Sequence, residues 1–94
     1  MEISKSDLVL STAGHDRGKL FFVMDTDGVY VFLANGKDRK IEAPKRKKLI
    51  HVKKVLRPDS PVADRIAAGA QVLNSELRRE LAIYGQKNSQ NQGG

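Results

Sequence analysis

Leu8-Val9-Leu10-Ser11-Thr12-Ala13-Gly14-His15-Asp16-Arg17-Gly18-Lys19-Leu20-Phe21-Phe22-Val23 is the stretch from which the fold is read. Leu8 to Leu10 is apolar, Ser11 to Gly18 is small and polar, and Lys19 to Met24 is mainly apolar and aromatic, so the order is strand, loop, strand. Gly14 and Gly18 stand where the backbone must reverse tightly, and a residue without a Cβ also lets a loop approach another chain closely. His15, Arg17 and Lys19 are thereby placed on or beside an exposed loop.

The strand pattern continues on the C-terminal side. Asp27-Gly28 suits a two-residue hairpin turn, and Val29 to Ala34 is rich in strand formers. Asn35-Gly36 repeats the turn signal and leads into Arg39-Lys40-Ile41-Glu42, where Ile41 among charged neighbours predicts a half-exposed strand. Pro44 marks an edge or loop before Lys45-Arg46-Lys47-Lys48, and Leu49-Ile50-His51-Val52 is the expected closing strand. Five short strands with tight turns predict a mainly β fold, a closed or nearly closed small barrel over residues 1–57.

After Arg57 the hydrophobic period changes. Ser60-Pro61 is a helix start, and apolar residues recur at Val62, Ile66, Ala70, Leu73, Leu77, Leu81 and Tyr84, the stripe of an amphipathic helix. One helix over that whole span places Gly69 in its interior, at about 1 kcal/mol relative to alanine. Two helices instead use Gly69 as a stop and Asn74 as a start, and this segmentation is preferred. The stripe over 58–85 is expected to pack on the barrel. Gly85 is expected to end the helix, and the Asn/Gln/Gly/Ser-rich tail, 86–94, to be disordered.

Charge is concentrated in one place. The net charge is +6, with 17 basic and 11 acidic residues. Ten of those bases fall between Lys37 and Arg57 against only Asp38 and Glu42, while the preceding 36 residues are net acidic and the last 37 balanced. A single segment thus carries the whole excess, the pattern of a polyanion-facing patch. The sequence has no cysteine, so disulfides and thiolate metal sites are excluded. The N-terminus lacks an apolar signal core and no apolar run approaches a membrane span, so a cytoplasmic protein with no membrane partner is expected.

From Leu8 to Val23 the chain resembles the KOW family, whose motif is a hydrophobic strand, a loop of the form Gly-x-Asp-x-Gly-Lys and a second hydrophobic strand. Val9 and Leu10 stand in the first strand, Gly14, Asp16, Gly18 and Lys19 in the loop, and Phe22 and Val23 in the second. The resemblance implies an SH3-like barrel of the kind found in large-subunit ribosomal proteins and transcription elongation factors, where loop and barrel face contact RNA or protein. A looser likeness over Leu8 to Leu56 is to small stand-alone KOW proteins among archaeal and eukaryotic ribosomal proteins. Leu20-Phe21 departs from the many KOW sequences in which a glycine follows the lysine, and the helical segment inherits no function from the motif.

Other chemistries fit poorly. A Walker-type phosphate loop needs four residues between its glycines and Ser or Thr after the lysine, whereas three lie between Gly14 and Gly18 and Leu20 follows Lys19. An RNA-recognition motif interleaves helices with strands, and here the helices come last; Phe21 and Phe22 are expected in the core, and Tyr30 is a candidate for stacking on a base. His15 and His51 lack a ligand spacing, and Asp25 and Asp27 suit turn stabilisation rather than calcium. No catalytic constellation, cofactor motif or metal site is expected.

The expected activity is therefore non-enzymatic RNA binding, with ribosomal RNA as the target class the resemblance implies. Gly14 and Gly18 shape the loop, and His15, Arg17 and Lys19 present it to the RNA. Lys37, Arg39, Lys40, Lys45, Arg46, Lys47 and Lys48 supply attraction, the two arginines being suited to paired phosphate contacts. The alternatives are an adaptor that docks on a ribosomal or polymerase protein and, more weakly, a double-stranded DNA binder.

Overall fold

Side chains of the turn residues hold the hairpins in place. The structure, a computed structural model, describes residues 2–93, with side chains through Gly85. Asp27 Oδ1 accepts the Val29 and Tyr30 amides at 2.9 and 2.8 Å, and Gly28 takes φ +90°, so the chain reverses between β2 (Leu20–Thr26) and β3 (Tyr30–Ala34). With β1 (Leu8–Ser11), β4 (Lys45–Lys48) and β5 (Val52–Leu56) these form one antiparallel sheet in the order β4-β3-β2-β1-β5. The edge strands β4 and β5 do not pair with each other, so the five-stranded sheet is not closed.

The C-terminal half of the sheet differs from the expectation. The 39–42 segment is not a strand: Asn35 Oδ1 accepts the Lys37 and Arg39 amides at 2.9 and 3.0 Å, and the Ile41 amide donates to Asn74 Oδ1 at 2.9 Å instead of to a neighbouring strand. The strand forms at Lys45–Lys48, where Lys48, Lys47, Arg46 and Lys45 oppose Tyr30, Val31, Phe32 and Leu33. Leu49–His51 is a single 3-10 turn, and the last strand begins only at Val52. Amides of Leu49 and Thr12 donate to the carbonyls of Val29 and His51, each at 2.9 Å, fastening this turn between β3 and β1.

Both faces of the sheet are buried, which explains why its middle strands are apolar without alternation. Val9, Phe21, Val23, Val31 and Leu33 fill one face, with Ile3, Leu49 and Val52 against them. Leu8, Phe22 and Ala34 point to the other side and are covered by Val62, Ile66, Val72 and Leu77 of the helical segment. Phe21 and Phe22 are both fully buried, as expected, each contributing on the order of 2–3 kcal/mol.

The helical segment is divided as the glycine signal predicts. α1 (Pro61–Ala68) starts with Ser60 Oγ accepting the Ala63 amide at 3.2 Å and ends at Gly69, φ +74°. Ala70 and Leu73 fall in the exposed connection and drop out of the expected stripe, while Val72 takes the buried place. α2 is assigned to Asn74–Gly93, so its backbone does not stop at Gly85. The expected disorder of 86–94 concerns residues whose side chains lie outside those described. Arg65 joins the two helices by a bidentate pair with Glu76, at 2.5 and 3.2 Å.

One contact places α2 against the sheet. Gly36 sits at φ +75° with its α-carbon so close to Asn74 that a Cβ there would overlap the Asn74 carbonyl. Asn74 Nδ2 donates to Glu42 at 2.7 Å, and Arg78 donates to the Gly36 carbonyl at 2.6 Å. The start of α2 is thereby keyed to the β3–β4 connection.

Candidate nucleic-acid interface

The loop from Gly14 to Lys19 is built around its one acid. Asp16 turns inward and its side chain is only 10% exposed; Ser11 Oγ donates to Oδ1 at 2.8 Å and Lys47 Nζ donates to the same oxygen at 2.7 Å. Oδ2 makes no hydrogen bond and faces the Lys45 ammonium at 3.6 Å. Burial alone would raise the Asp16 carboxyl, but Lys47, Ser11 and then Lys45 outweigh it and lower the pKa to about 2. Lys47 Nζ also donates to the Ala13 carbonyl at 2.8 Å. Amides of Gly18, Lys19 and Arg17 donate to Ser11, Asp16 and Gly14 carbonyls, and Gly14 and Gly18 take φ +82° and +88°. The arrangement leaves His15, Arg17 and Lys19 on the outside.

The basic run on β4 has two sides because strand side chains alternate. Lys45 and Lys47 oppose Leu33 and Val31, whose side chains join the Val9 and Phe21 cluster, and both turn toward Asp16. Arg46 and Lys48 project outward, and the Arg46 guanidinium lies 4.4 Å from the Tyr30 ring centroid. Lys47, read from sequence as a phosphate contact, is therefore a buried strut, and Lys45 is half-buried beside it. Tyr30, considered for base stacking, already carries Arg46 on one face.

The loop and the 35–40 turn meet where Lys19 Nζ and Asp38 pair at 2.7 Å. His15, Asp16, Lys19, Asp38, Arg39 and Lys45 line one shallow cavity of about 270 Å³, so three separate segments of the expected site do converge. Among the described residues Arg17, Lys37, Arg39, Lys40, Arg46 and Lys48 are exposed and form no ion pair with an acid. Of the basic residues in β5 and just after it, Lys54 and Arg57 pair with the fully buried Asp7 at 3.3 and 3.0 Å, whereas Lys53 is exposed. The functional distinction that sequence reading missed is the one between struts and free cations; the alternation of Lys45 and Lys47 with Arg46 and Lys48 was the signal for it.

No group of three or more His, Asp or Glu able to hold a metal occurs among the described residues. No helix among them is long and apolar enough to cross a membrane. No protein-family model and no curated protein matches this chain.

Proposed function

We propose that this protein is a non-enzymatic RNA-binding domain, a KOW-type member of the SH3-like barrels, acting in the cytoplasm on the phosphate backbone of ribosomal or other looped RNA. The observation that carries the reading is the convergence of the Gly14–Lys19 loop, the 35–40 turn and β4 around one cavity, with six exposed cations on these segments lacking an acidic partner. Struts absorb Asp16 and Asp38, so the acids within the patch are neutralised locally. Arg39 and Arg46 offer planar forks to phosphate oxygens, and Lys37, Lys40 and Lys48 add point charges. No element presents a base-reading code, so sequence preference is weak.

If about five of these cations engage a single strand, the logarithmic salt slope is near −3.5 and affinity falls on the order of fifty-fold between about 0.1 and 0.3 M salt. The test is fluorescence anisotropy with a looped RNA over that salt range, on the wild type and on the Arg39→Ala/Lys40→Ala/Arg46→Ala/Lys48→Ala protein. All four positions are exposed, so the fold is retained and, with these four among the five engaged cations, the slope shrinks to about one fifth of its value. A folded quadruple variant with undiminished affinity would refute the reading.

A further inference from the structure

A second concavity lies on the helical side of the sheet. Leu10 of β1, Leu20 of β2, Val55 of β5 and Leu81 and Ala82 of α2 form the apolar part of a groove of about 900 Å³. Its rim is basic: Lys19, Lys37, Lys53, Lys54 and Arg78 surround it, with Asp38 the one acid among the described residues. Lys19, Lys54 and Arg78 are held by Asp38, by Asp7 and by the Gly36 carbonyl respectively, which leaves Lys37 and Lys53 exposed and without an acidic partner.

We propose that this groove is a docking site for an acidic amphipathic helix of a protein partner. Three observations choose this occupant. The lining is aliphatic and contains no aromatic ring, whereas single-stranded RNA gains its non-electrostatic affinity by stacking bases on rings. Among the described residues two rim cations are uncommitted, and two phosphate contacts give a salt slope of about −1.4, too little to hold a polyphosphate strand by charge. Two free cations beside an aliphatic trough instead match a short segment whose leucine-like side chains enter the groove while flanking carboxylates meet Lys37 and Lys53. The volume lies at the upper end of pockets that enclose small ligands and accommodates several apolar side chains of a helix face. The groove shares Gly18, Lys19, Lys37 and Asp38 with the RNA patch and its loop, while its aliphatic floor and Lys53 are its own.

The experiment is a titration of isotope-labelled protein followed by amide and methyl NMR. The probe is a synthetic helical peptide of about 14 residues with leucine at positions i, i+3, i+4 and i+7 and glutamate on its other face. Comparison probes are a scramble of the same composition, a version with lysine in place of glutamate, and oligouridine. Saturable shifts at Leu10, Leu20, Val55 and Ala82, with a Kd below about 1 mM for the glutamate peptide alone, are expected. Ala82→Glu and Lys53→Glu, both at exposed positions, each weaken that binding by about tenfold, and Ala82→Glu leaves RNA affinity unchanged. The proposal is overturned by equal binding of the scramble, by peptide shifts confined to the Gly14–Lys19 loop and β4, or by no saturable binding. Oligouridine shifting the groove residues and displacing the peptide would also overturn it, and would assign the groove to RNA. Loss of RNA binding with peptide binding retained would refute the RNA reading and leave the docking site standing.

Discussion

Replacing Lys47 with methionine keeps most of the aliphatic stem and removes the charge, leaving the buried Asp16 carboxylate with Ser11 as its hydrogen-bond donor and Lys45 at 3.6 Å. The Asp16 carboxyl lies at about 2 against an ordinary 3.8. That lowering, to which Lys47, Ser11 and Lys45 all contribute, corresponds to roughly 2–3 kcal/mol of folded-state stability near neutral pH. Stranding one partner of a buried pair costs about 3 kcal/mol, a large part of the roughly 5–14 kcal/mol available to a domain of this size, and lowers Tm by about 12–24 °C. Thermal and urea unfolding followed by circular dichroism measure it. The pH dependence is a second signature: because the folded carboxyl is lowered, its stabilisation is complete above the unfolded value of 3.8 and is lost as pH falls through 2. Wild type and Lys47→Met should therefore converge in acid. Asp16→Ala combined with Lys47→Met should lose less than the sum of the single changes, with a coupling of about 2 kcal/mol. The salt slope of RNA binding in Lys47→Met should stay at the wild-type value, since the ammonium faces the protein. A loss under about 0.5 kcal/mol, with no convergence in acid, would show that Lys47 is not a strut and return it to the set of binding cations.

Gly36→Ala, which needs both a left-handed backbone and room that the Asn74 carbonyl occupies, should destabilise by about 3 kcal/mol, whereas Gly28→Ala, at φ +90° with open space around it, should cost only about 1 kcal/mol; urea midpoints compare the two. Ser60→Ala removes the acceptor for the Ala63 amide and should lower stability by about 1 kcal/mol, read as a shift in urea midpoint at unchanged slope.

Where local chemistry and tertiary structure agree, the sequence was legible. The hairpin at Asp27-Gly28, the serine cap and the glycine stop at residue 69 each rest on neighbours a few residues away, and the burial of Phe21-Phe22 follows from two adjacent aromatic side chains that leave neither face of β2 polar. The fourth strand was misplaced because its pairing is decided at long range. Ile41 has strand-like alternation, but its amide is taken by Asn74, 33 residues later, and four consecutive cations read as a solvated loop until β3 is seen beside them. Edge strands tolerate such charge, since it opposes further pairing. The loop glycines were recognised correctly, while the division of labour among the lysines was not: a charge count does not distinguish an ammonium that faces phosphate from one that anchors Asp16. The same holds for Lys54 in β5 and Arg57 just after it, which close over Asp7.

The keying of α2 to the β3–β4 connection bears on the order in which the domain is made. During synthesis from the N-terminus, all five strands leave the ribosome before Leu77, and until then Leu8, Phe22 and Ala34 have no complete cover. The nascent sheet must therefore wait with an apolar face open, a state that favours chaperone capture or misassembly over independent folding. Chains ending just before Asn74 should keep that face exposed, and chains extended through Leu81 should cover it.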